Sequence, residues 1–294
     1  MDLSIIIVAF NNREYLRACL SSIYENSGQQ IKYEIFVVDN NSQDQTVKML
    51  QENYPGVKII DNPANLGFAR ANNQAMRLAS GRYLLLLNND TFVLGGSLEK
   101  MIEYMDLHRE AGALSPRLLN GDGRTVQTQG GGWTRKKWLS ASPQKVRFIS
   151  GAAFLIRRDT YKNVGALDEN FFFYNEDVDW CKRILKNGWE IHYYPGAAVI
   201  HYGGQSTGFI GARAAVEGLR GGLYLVYKHY RYAFPLYVLL FLILLLFFLA
   251  GNIIFWPFAL DKKVVRGRIA AYGQVLWLAL TARYKPKTVK PEML

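Results

Sequence analysis

Three strand-like runs of the sequence end in polar side chains that could bind a ligand. The groups are Asn11 with Asn12, Asp39 with Asn40, Asn41 and Ser42, and Asn88 with Asn89, Asp90 and Thr91. Carboxylate and amide oxygens accept hydrogen bonds from sugars and bases, and they also bind hard cations. Turns use Asn and Asp for local hydrogen bonds as well, and Ser42 could cap a helix. Three such groups at equivalent places nevertheless favour one shared site.

The sequence between these groups alternates strand and helix patterns. Apolar runs at 5–10, 35–38, 57–60 and 83–87 predict strands, and apolar residues at helical spacing predict helices at 14–25, after Ser42 and at 68–79. Strands that are apolar on both faces and separated by helices form a parallel sheet with helices on each side. We therefore predict an α/β, Rossmann-like fold with a mostly parallel sheet. Ligands of such sheets bind outside the carboxyl ends of the strands, where the polar groups lie.

Charge and motifs exclude several classes of function. Residues 1–219 hold 24 basic and 22 acidic side chains, whereas residues 220–294 hold 11 and 2, so the formal net charge of +11 lies mostly in the tail. A near-neutral body argues against a nucleic-acid partner. Two distant cysteines, Cys19 and Cys181, do not make a disulfide framework. The first strand is not followed by GxGxxG and no GxxxxGK[ST] occurs, which disfavours a dinucleotide dehydrogenase and a P-loop NTPase.

The tail contains the longest apolar segment of the chain. Residues 232–260 carry no charge, and this segment is longer than the roughly 20 apolar residues that cross a bilayer. Aromatic and basic residues flank this segment, as they do at membrane boundaries. The segment predicts a helical membrane anchor, with a buried helix of a soluble core as the alternative. A single span, a hairpin with the apolar stretch at 269–282, and a re-entrant segment all stay open.

Seven motifs, in order, resemble the inverting glycosyltransferases of the GT-A fold, family 2, and especially their bacterial rhamnosyltransferase-like branch. The resemblance covers roughly residues 3–215 and implies a catalytic domain at 1–219 with a membrane-anchoring tail at 220–294. The motifs are SIIIVAFNN at 4–12, VVDNNSQD at 37–44, NLGFARANNQA at 65–75, LLLLNND at 84–90, SGAAFLIRR at 150–158, NEDVDWCKR at 175–183 and HYGGQS at 201–206.

The resemblance implies a binding site for a nucleotide-sugar donor. In the family, Asp39 would bind the base or ribose, and a glycine such as Gly67 allows close approach of the backbone. The residues that the resemblance places around the donor are Ala9, Phe10, Asn11, Asp39, Asn65, Gly67, Arg70, Asn88, Asn89 and Gly151.

The resemblance also implies a divalent cation at the donor diphosphate. Asn88, Asn89 and Asp90 match the family's DxD element, with Asn88 in place of its first Asp. Asp90 is therefore the only carboxylate of this motif and would bind Mg²⁺ or Mn²⁺. His201 resembles a second ligand seen in related enzymes.

Asp177 resembles the general base of the family, with Glu176 orienting the substrate or acceptor. An inverting transfer is one in-line displacement, in which an acceptor hydroxyl attacks the anomeric carbon and a nucleoside diphosphate leaves. Such a step needs one base near the hydroxyl. Glu176, Asp177 and Asp179 would also stabilise the start of a helix, and this structural role is compatible with an ionised base.

These inferences together predict an enzyme of the cytoplasmic face of the inner membrane. It would transfer a sugar, with dTDP-L-rhamnose as the first choice of donor, to a hydroxyl of a lipid-linked or cell-envelope glycan. A UDP-hexose or UDP-galactofuranose donor, and a non-catalytic nucleotide-sugar-binding scaffold, are the alternatives. Membrane lipid is an expected partner, and a homo-oligomeric state stays open.

Overall fold

The computed structural model describes residues 1–28, 30–129, 134–203 and 211–254, together with 269–270, 272–274, 276–277 and 281. The chain divides into two compact units. The first comprises Met1–Glu169 and Glu176–Gly208, and the second comprises Asn170–Asn175 and Phe209–Leu294. The predicted domain boundary after residue 219 stays a prediction.

The first unit alternates strands and helices, and the second adds two long helices. The strands are β1 (Leu3–Ala9), β2 (Tyr33–Asp39), β3 (Lys58–Asp61), β4 (Tyr83–Asn88), β5 (Thr91–Val93), β6 (Ala111–Leu119), β7 (Gln144–Val146), β8 (Ala153–Arg157) and β9 (Glu190–His201). The helices are α1 (Arg13–Asn26), α2 (Thr46–Asn53), α3 (Phe68–Leu78), α4 (Ser97–Leu107), α5 (Arg135–Trp138), α6 (Arg158–Val164), α7 (Glu176–Lys186), α8 (Gly211–His229) and α9 (Phe234–Ile254).

One nine-stranded sheet organises the first unit. Its order is β3-β2-β1-β4-β8-β6-β9-β5, and β7 pairs with β9. The pairings make β1, β2, β3, β4, β6 and β9 run in one direction, with β5, β7 and β8 opposed to them. The predicted α/β class with a mostly parallel sheet is confirmed.

Both faces of the sheet are buried, because the strands are apolar at odd and even positions. Ile5 and Ile7 of β1 join one core with Leu16 and Leu20 of α1. Ile6 joins the other core, together with α3 and α7 residues such as Ala75, Met76, Trp180 and Ile184. Neighbouring residues of a strand point to opposite faces, so a run such as SIIIV supplies both cores.

The second helix is separated from Ser42 by a short turn. The pattern predicts a helix after Ser42, and α2 begins at Thr46. Residues 40–45 form a turn in which Gln45 adopts a left-handed backbone with φ of 64°. Asp44 holds the turn by accepting hydrogen bonds from the Thr46 hydroxyl at 2.6 Å and from the Arg13 amide at 2.8 Å. The polar residues here therefore shape a loop rather than a first helical turn.

The second unit packs its short N-terminal segment against α8. The rings of Phe171 and Tyr224 lie 5.0 Å apart, and the Asn175 side-chain amide donates to the Gly218 carbonyl at 3.0 Å. Gly221 permits this approach, because a Cβ there would lie 2.9 Å from Asn175 Nδ2.

Helix α9 is apolar on all sides and largely exposed. Its stretch Phe234–Asn252 has 19 residues, a mean hydropathy of 2.7 and only 6% of its most apolar window buried. By length and composition it could cross a bilayer. Residues 255–260 of the predicted anchor, and residues 271, 275, 278–280 and 282 of the stretch at 269–282, lie outside the described residues.

The end of the sheet where β1 and β2 begin carries a buried carboxylate network. Glu34 accepts hydrogen bonds from the Ser4 hydroxyl at 2.6 Å and the Ser80 amide at 2.7 Å, and it pairs with Lys58 at 2.6 Å. Burial opposes ionisation of Glu34, but Lys58, Ser4 and Ser80 outweigh it and hold its pKa at about 2. The ionised carboxylate therefore ties β1, β2, β3 and the α3–β4 turn together.

We expect Glu34→Gln to destabilise the fold by about 1–3 kcal/mol at neutral pH, because it weakens hydrogen bonds to a charged acceptor. A lowered pKa contributes stability above the unfolded value near 4.3, and this contribution is lost as pH falls towards about 2. Melting curves of both proteins should therefore converge in acid. Glu52→Gln, at an exposed carboxyl, is the control. An equal loss of stability of Glu34→Gln relative to the parent at pH 2 and at pH 7 would contradict this account.

Candidate functional site

The carboxyl ends of β2, β1 and β4 lie in register at one edge of the sheet. In the parallel ladders Ala9 pairs with Asp39, and Val8 pairs with Asn88. Adjacent strands are about 4.8 Å apart, so the Cα atoms of Asp39 and Asn88 lie about 10 Å from each other. We call the edge defined by Ala9, Asp39 and Asn88 the polar edge. It brings together the three polar groups of the sequence.

Asp39 is a buried carboxylate with one oxygen available. It is 1% exposed, and its Oδ2 accepts a hydrogen bond from the Ser42 amide at 2.7 Å. Its Oδ1 has no hydrogen-bond partner among the described residues. Burial raises the pKa of Asp39 against the opposing hydrogen bonds of Ser42. A ligand hydroxyl or N–H would satisfy this oxygen, as the predicted contact with a base or ribose requires.

The turn after β1 is tied to the turn after β2. The Asn11 amide donates to Ser42 Oγ at 3.0 Å, and Asn11 Oδ1 accepts from the Gln43 amide at 2.7 Å. Asn11 adopts a left-handed backbone with φ of 52°, and Phe10 before it is half-buried. This arrangement places Ala9, Phe10 and Asn11 beside the Asp39 turn.

The segment around the start of α3 contributes some of its predicted residues to the polar edge, but not all of them. Asn40 Nδ2 donates to the Gly67 carbonyl at 3.3 Å, and the Gly67 amide donates to Asn65 Oδ1 at 2.9 Å. Gly67 has φ of 83°, which L side chains rarely adopt. The Arg70 guanidinium instead lies 3.5 Å from Glu169, with the Arg70 side chain 59% exposed. Asn65 and Gly67 thus join the polar edge, whereas Arg70 is engaged in a surface ion pair.

Asn88, Asp90 and His201 converge at the end of β4. His201 Nε2 lies 3.3 Å from Asn88 Nδ2 and 3.4 Å from Asp90 Oδ1. The pairing of β5 with β9 sets Thr91 opposite His201, and the Tyr202 amide donates to the Asp90 carbonyl at 3.0 Å. Asp90 and its neighbour Asn89 are each 3% exposed. The other part of the HYGGQS motif, 204–206, lies outside the described residues.

The contacts of Gln127 determine which ring nitrogen of His201 carries a proton. Its side-chain NH₂ donates to the His201 carbonyl at 2.7 Å, which turns its oxygen towards His201 Nδ1 at 3.0 Å. Nδ1 must then carry a proton, and when the ring is neutral Nε2 has a lone pair that faces Asn88 and Asp90. The position of Asn88 is consistent with this tautomer, because its side-chain NH₂ can donate a hydrogen bond to Nε2.

The arrangement fits a divalent cation. A lone pair of His201 and a carboxylate oxygen of Asp90 face each other across 3.4 Å, and only a cation or a proton between them makes this contact favourable. Two cis ligands of an octahedral ion with bonds of about 2.1 Å lie about 3.0 Å apart, so little movement is needed. Asp90 and His201, with Asn88 beside them, could therefore hold Mg²⁺ or Mn²⁺.

Asp177 lies at the start of α7 and is held by two backbone amides. Its Oδ2 accepts from Gly151 at 3.1 Å and its Oδ1 accepts from Val178 at 2.8 Å. Burial raises the pKa of Asp177, while these hydrogen bonds oppose the rise. Gly151 also lies close to Phe68, since a Cβ there would be 3.4 Å from that ring.

Glu176 differs from Asp177 in its surroundings. It is 6% exposed, and its Oε2 has no hydrogen-bond partner among the described residues. Burial, followed by the neighbouring Asp177 carboxylate, raises the pKa of Glu176 well above its usual value. Both carboxyls have raised pKa values, and the amides of Gly151 and Val178 oppose the rise at Asp177, so Glu176 takes up a proton more readily than Asp177. Asp179 pairs with Arg183 at 2.8 Å and is structural.

One short turn joins Asp177 to the polar edge. The Gly151 amide binds Asp177, and the carbonyl of the next residue, Ala152, accepts from the Asn88 amide at 3.0 Å. The base candidate and the cation candidates are therefore connected through two consecutive residues of one backbone segment.

Sequence reasoning missed Gln127, and a second glutamine with a similar task. Gln129 Oε1 accepts from the Ser150 amide at 2.6 Å, and Gln129 Nε2 donates to Ser115 Oγ at 2.9 Å. Both glutamines lie in the loop after β6, outside every motif and without periodic spacing. Only the three-dimensional contacts reveal them.

The chain is similar in sequence to known proteins. The family model described as "Glycosyl transferase family 2" matches residues 4–165. An N-acetylglucosaminyl-diphospho-decaprenol L-rhamnosyltransferase of Mycobacterium tuberculosis is 28% identical over 240 residues, which cover 70% of this chain and 78% of that protein. Rhamnosyltransferase WbbL of Escherichia coli is 25% identical over 227 residues, covering 67% and 82%.

A solved structure shares the fold. GalNAc-T7 with UDP, GalNAc and Mn²⁺ superposes with a TM-score of 0.63 at 18% identity. The match covers 98% of this chain and 59% of that chain, so this chain spans less than two thirds of that protein's length.

We expect Gln127→Leu to weaken Mn²⁺ binding by about 10- to 100-fold, the usual cost of removing a group that orients a histidine ligand. Titration of the protein with Mn²⁺, followed by electron paramagnetic resonance, measures this. Gln144→Leu, in the β7 segment, is the control. Equal Mn²⁺ affinity of Gln127→Leu and the parent, with His201→Asn weaker than both, would remove Gln127 from this role.

Proposed function

The chain belongs to glycosyl transferase family 2, and we propose that it transfers one sugar from a nucleotide-sugar donor to an acceptor hydroxyl with inversion at the anomeric carbon. The observation that carries this proposal is the Asp177–Gly151 hydrogen bond, together with the Ala152–Asn88 bond beside it. A potential base and the potential diphosphate site share one support, as a single in-line displacement requires.

Asp177 is the general base in this proposal. Its carboxylate takes the proton of the acceptor hydroxyl as the oxygen attacks the anomeric carbon, and the bond from that carbon to the diphosphate breaks. The amides of Gly151 and Val178 keep Asp177 ionised despite its burial. Glu176 stays protonated and can donate a hydrogen bond to sugar or acceptor, which would also satisfy its unpartnered Oε2.

Asp90 and His201, with Asn88 beside them, would hold Mg²⁺ or Mn²⁺ near the donor diphosphate in this proposal. A cation bound there would supply positive charge that favours departure of the nucleoside diphosphate. Asp39, Asn11 and the Asn65–Gly67 backbone bind the nucleoside at the other end of the polar edge. The 18% identity to the Mn²⁺-bound structure supports the shared fold only.

The donor we propose first is dTDP-L-rhamnose. The names of the mycobacterial and Escherichia coli relatives, both rhamnosyltransferases, support this choice. A UDP-hexose or UDP-galactofuranose is the second choice. A scaffold that binds donor without catalysis is the remaining alternative, favoured by Asn88 in place of a carboxylate.

The acceptor we propose is a lipid-linked or cell-envelope glycan at the cytoplasmic face of the inner membrane. The uncharged helix α9, with exposed Leu240, Leu244 and Phe247, supports an anchor in lipid. A membrane anchor confines the enzyme to the same surface as its acceptor and raises their effective concentration.

A donor screen tests the proposal directly. The full-length protein in lipid nanodiscs is given each nucleotide sugar with Mg²⁺ or Mn²⁺ and a lipid-linked acceptor extract, and the release of nucleoside diphosphate is measured. Release of dTDP from dTDP-L-rhamnose that requires the acceptor supports the proposal. Tight donor binding without release under any of these conditions would favour the scaffold.

Replacing the carboxyl of Asp177 and that of Glu176 by an amide should lower kcat to different extents. We expect Asp177→Asn to lower kcat by about 100- to 10,000-fold, the usual contribution of a general base. Glu176→Gln, which mimics the protonated acid, should stay within about 10-fold of the parent. Asp159→Asn, at an exposed carboxyl in the first turn of α6, is the control. Initial rates at saturating donor measure all three, and equal losses in the two variants would contradict the assigned protonation states.

The activity of the parent should fall in acid at a higher pH than for an ordinary aspartate. Because burial raises the pKa of Asp177, the base takes up its proton above about pH 4. A pH profile of kcat/KM measures this acid limb. An acid limb at or below pH 4 would show that Asp177 is not the group whose ionisation controls the rate.

Charges placed in the middle of α9 should release the protein from membranes. Arginine at the centre of a spanning helix costs about 3 kcal/mol, so Leu240→Arg with Leu244→Arg should shift most of the protein out of the membrane fraction. Leu240→Ile with Leu244→Ile is the control. Sedimentation after alkaline washing measures the distribution, and full retention of the arginine variant would contradict membrane insertion of α9.

A further inference from the structure

Two histidines and two glutamates meet at the edge of the sheet opposite the polar edge. His108 follows α4, Glu110 precedes β6, and Glu190 and His192 begin β9. One ligand atom from each of His108, Glu110 and His192 lies within 4.8 Å of the other two. The parallel pairing of β6 with β9, in which Ala111 faces Glu190, brings these chain positions together.

His192 is a fixed and buried member of this cluster. It is 4% exposed, and its Nδ1 lies 2.9 Å from the Tyr104 hydroxyl. Its Nε2 lies 2.8 Å from Glu190 Oε2, while the other Glu190 oxygen pairs with Lys145. An imidazole whose second nitrogen is hydrogen-bonded to a neighbour is the usual arrangement of a metal-binding histidine.

The Tyr104 hydroxyl permits His192 to bind a cation without leaving a polar atom unpaired. A hydroxyl can donate to Nδ1 or accept from it, so either tautomer of the ring is satisfied. When Nδ1 carries the proton, Nε2 and Glu190 Oε2 both offer lone pairs to the space between them. A cation there takes the place of the proton that otherwise joins these two atoms.

His108 and Glu110 can complete the coordination from the surface. The side chain of Glu110 is 50% exposed and can rotate, and that of His108 is 41% exposed with its Nδ1 already 3.1 Å from Glu110 Oε1. Ligands of a tetrahedral ion with Zn–N bonds of about 2.0–2.1 Å lie about 3.4 Å apart, which such rotation reaches. The ring of His108 also packs against Tyr104, with centroids 4.1 Å apart, so one tyrosine positions both imidazoles.

We propose that His108, Glu110 and His192, assisted by Glu190, form a second metal site that binds Zn²⁺ or a similar borderline cation. Two imidazoles with carboxylates suit Zn²⁺, whereas Mg²⁺ and Ca²⁺ prefer oxygen ligands alone. His192 pairs with Leu114 of β6, and Ile200, the residue before His201, pairs with Leu119. At about 3.3 Å per residue along β6, the metal site therefore lies roughly 20 Å from His201 at the polar edge. It is therefore structural, and it fastens the end of α4 to β6 and β9.

Zinc binding to the full-length protein tests this site. Because Asp90 and His201 could also bind Zn²⁺, the titration uses Asp90→Asn as the background. Calorimetry should show one equivalent of Zn²⁺, and Co²⁺ in its place should give the strong visible absorption of a tetrahedral ion. Zn²⁺ should raise the melting temperature of this background, since binding to the folded state alone stabilises it.

His108→Asn and Glu110→Gln are the informative variants, because both side chains are partly exposed. His108→Asn also removes the ring that packs against Tyr104, whereas Glu110→Gln leaves that contact in place. Each should weaken Zn²⁺ binding by at least about 10-fold and abolish the thermal shift. Glu103→Gln, at an exposed carboxyl one turn earlier on α4, should bind as the background does. Glycosyl transfer by His108→Asn with Mg²⁺ should equal that of the parent. The absence of bound Zn²⁺ in the background, or binding unchanged in both variants, would overturn the proposal.

Discussion

The alignment of β2, β1 and β4 at their carboxyl ends is the constraint on which the candidate site depends. Parallel pairing sets Ala9 opposite Asp39 and Val8 opposite Asn88. A shift of one residue in either ladder would turn the side chains of a whole strand to the other face. Such a shift would exchange the side chains that pack in the two cores, since Ile5 and Ile7 pack in one core and Ile6 in the other. The positions of polar side chains at the edge thus follow from the packing of apolar ones within the sheet.

The site keeps polar groups unsatisfied in a place where packing could have covered them. Asp39 Oδ1 and Glu176 Oε2 are buried without a hydrogen-bond partner among the described residues. Each such atom costs about 1–3 kcal/mol. Asp39 ends β2 and Glu176 begins α7, so the backbone of each is fixed by a regular element. A hydrogen-bond donor on a bound ligand would satisfy either atom, which is compatible with the proposed function.

Much of the fold follows from local sequence patterns, and the site does so only in part. The apolar runs predict β1 to β4 to within two residues, and the alternation of strand and helix predicts the confirmed fold class. The start of α2 does not follow, because Asp44 uses its side chain to hold a loop. The roles of Asp177 and Asp90 rest on motif resemblance and stay predictions. Gln127 could not be found at all, since a hydrogen bond across 74 residues leaves no mark on spacing.

The substitution of Asn88 for a carboxylate changes the charge of the proposed cation site rather than its shape. Asn88 is neutral, and His201 would be neutral as a metal ligand, so Asp90 would supply the single negative charge. With a divalent cation this site would carry a net charge of +1, whereas a second carboxylate would make it neutral. Excess positive charge weakens the hold on a cation alone, but it strengthens attraction for an anionic diphosphate. Asn88 therefore favours a site in which the cation and the donor bind together, each supplying the charge that the other lacks.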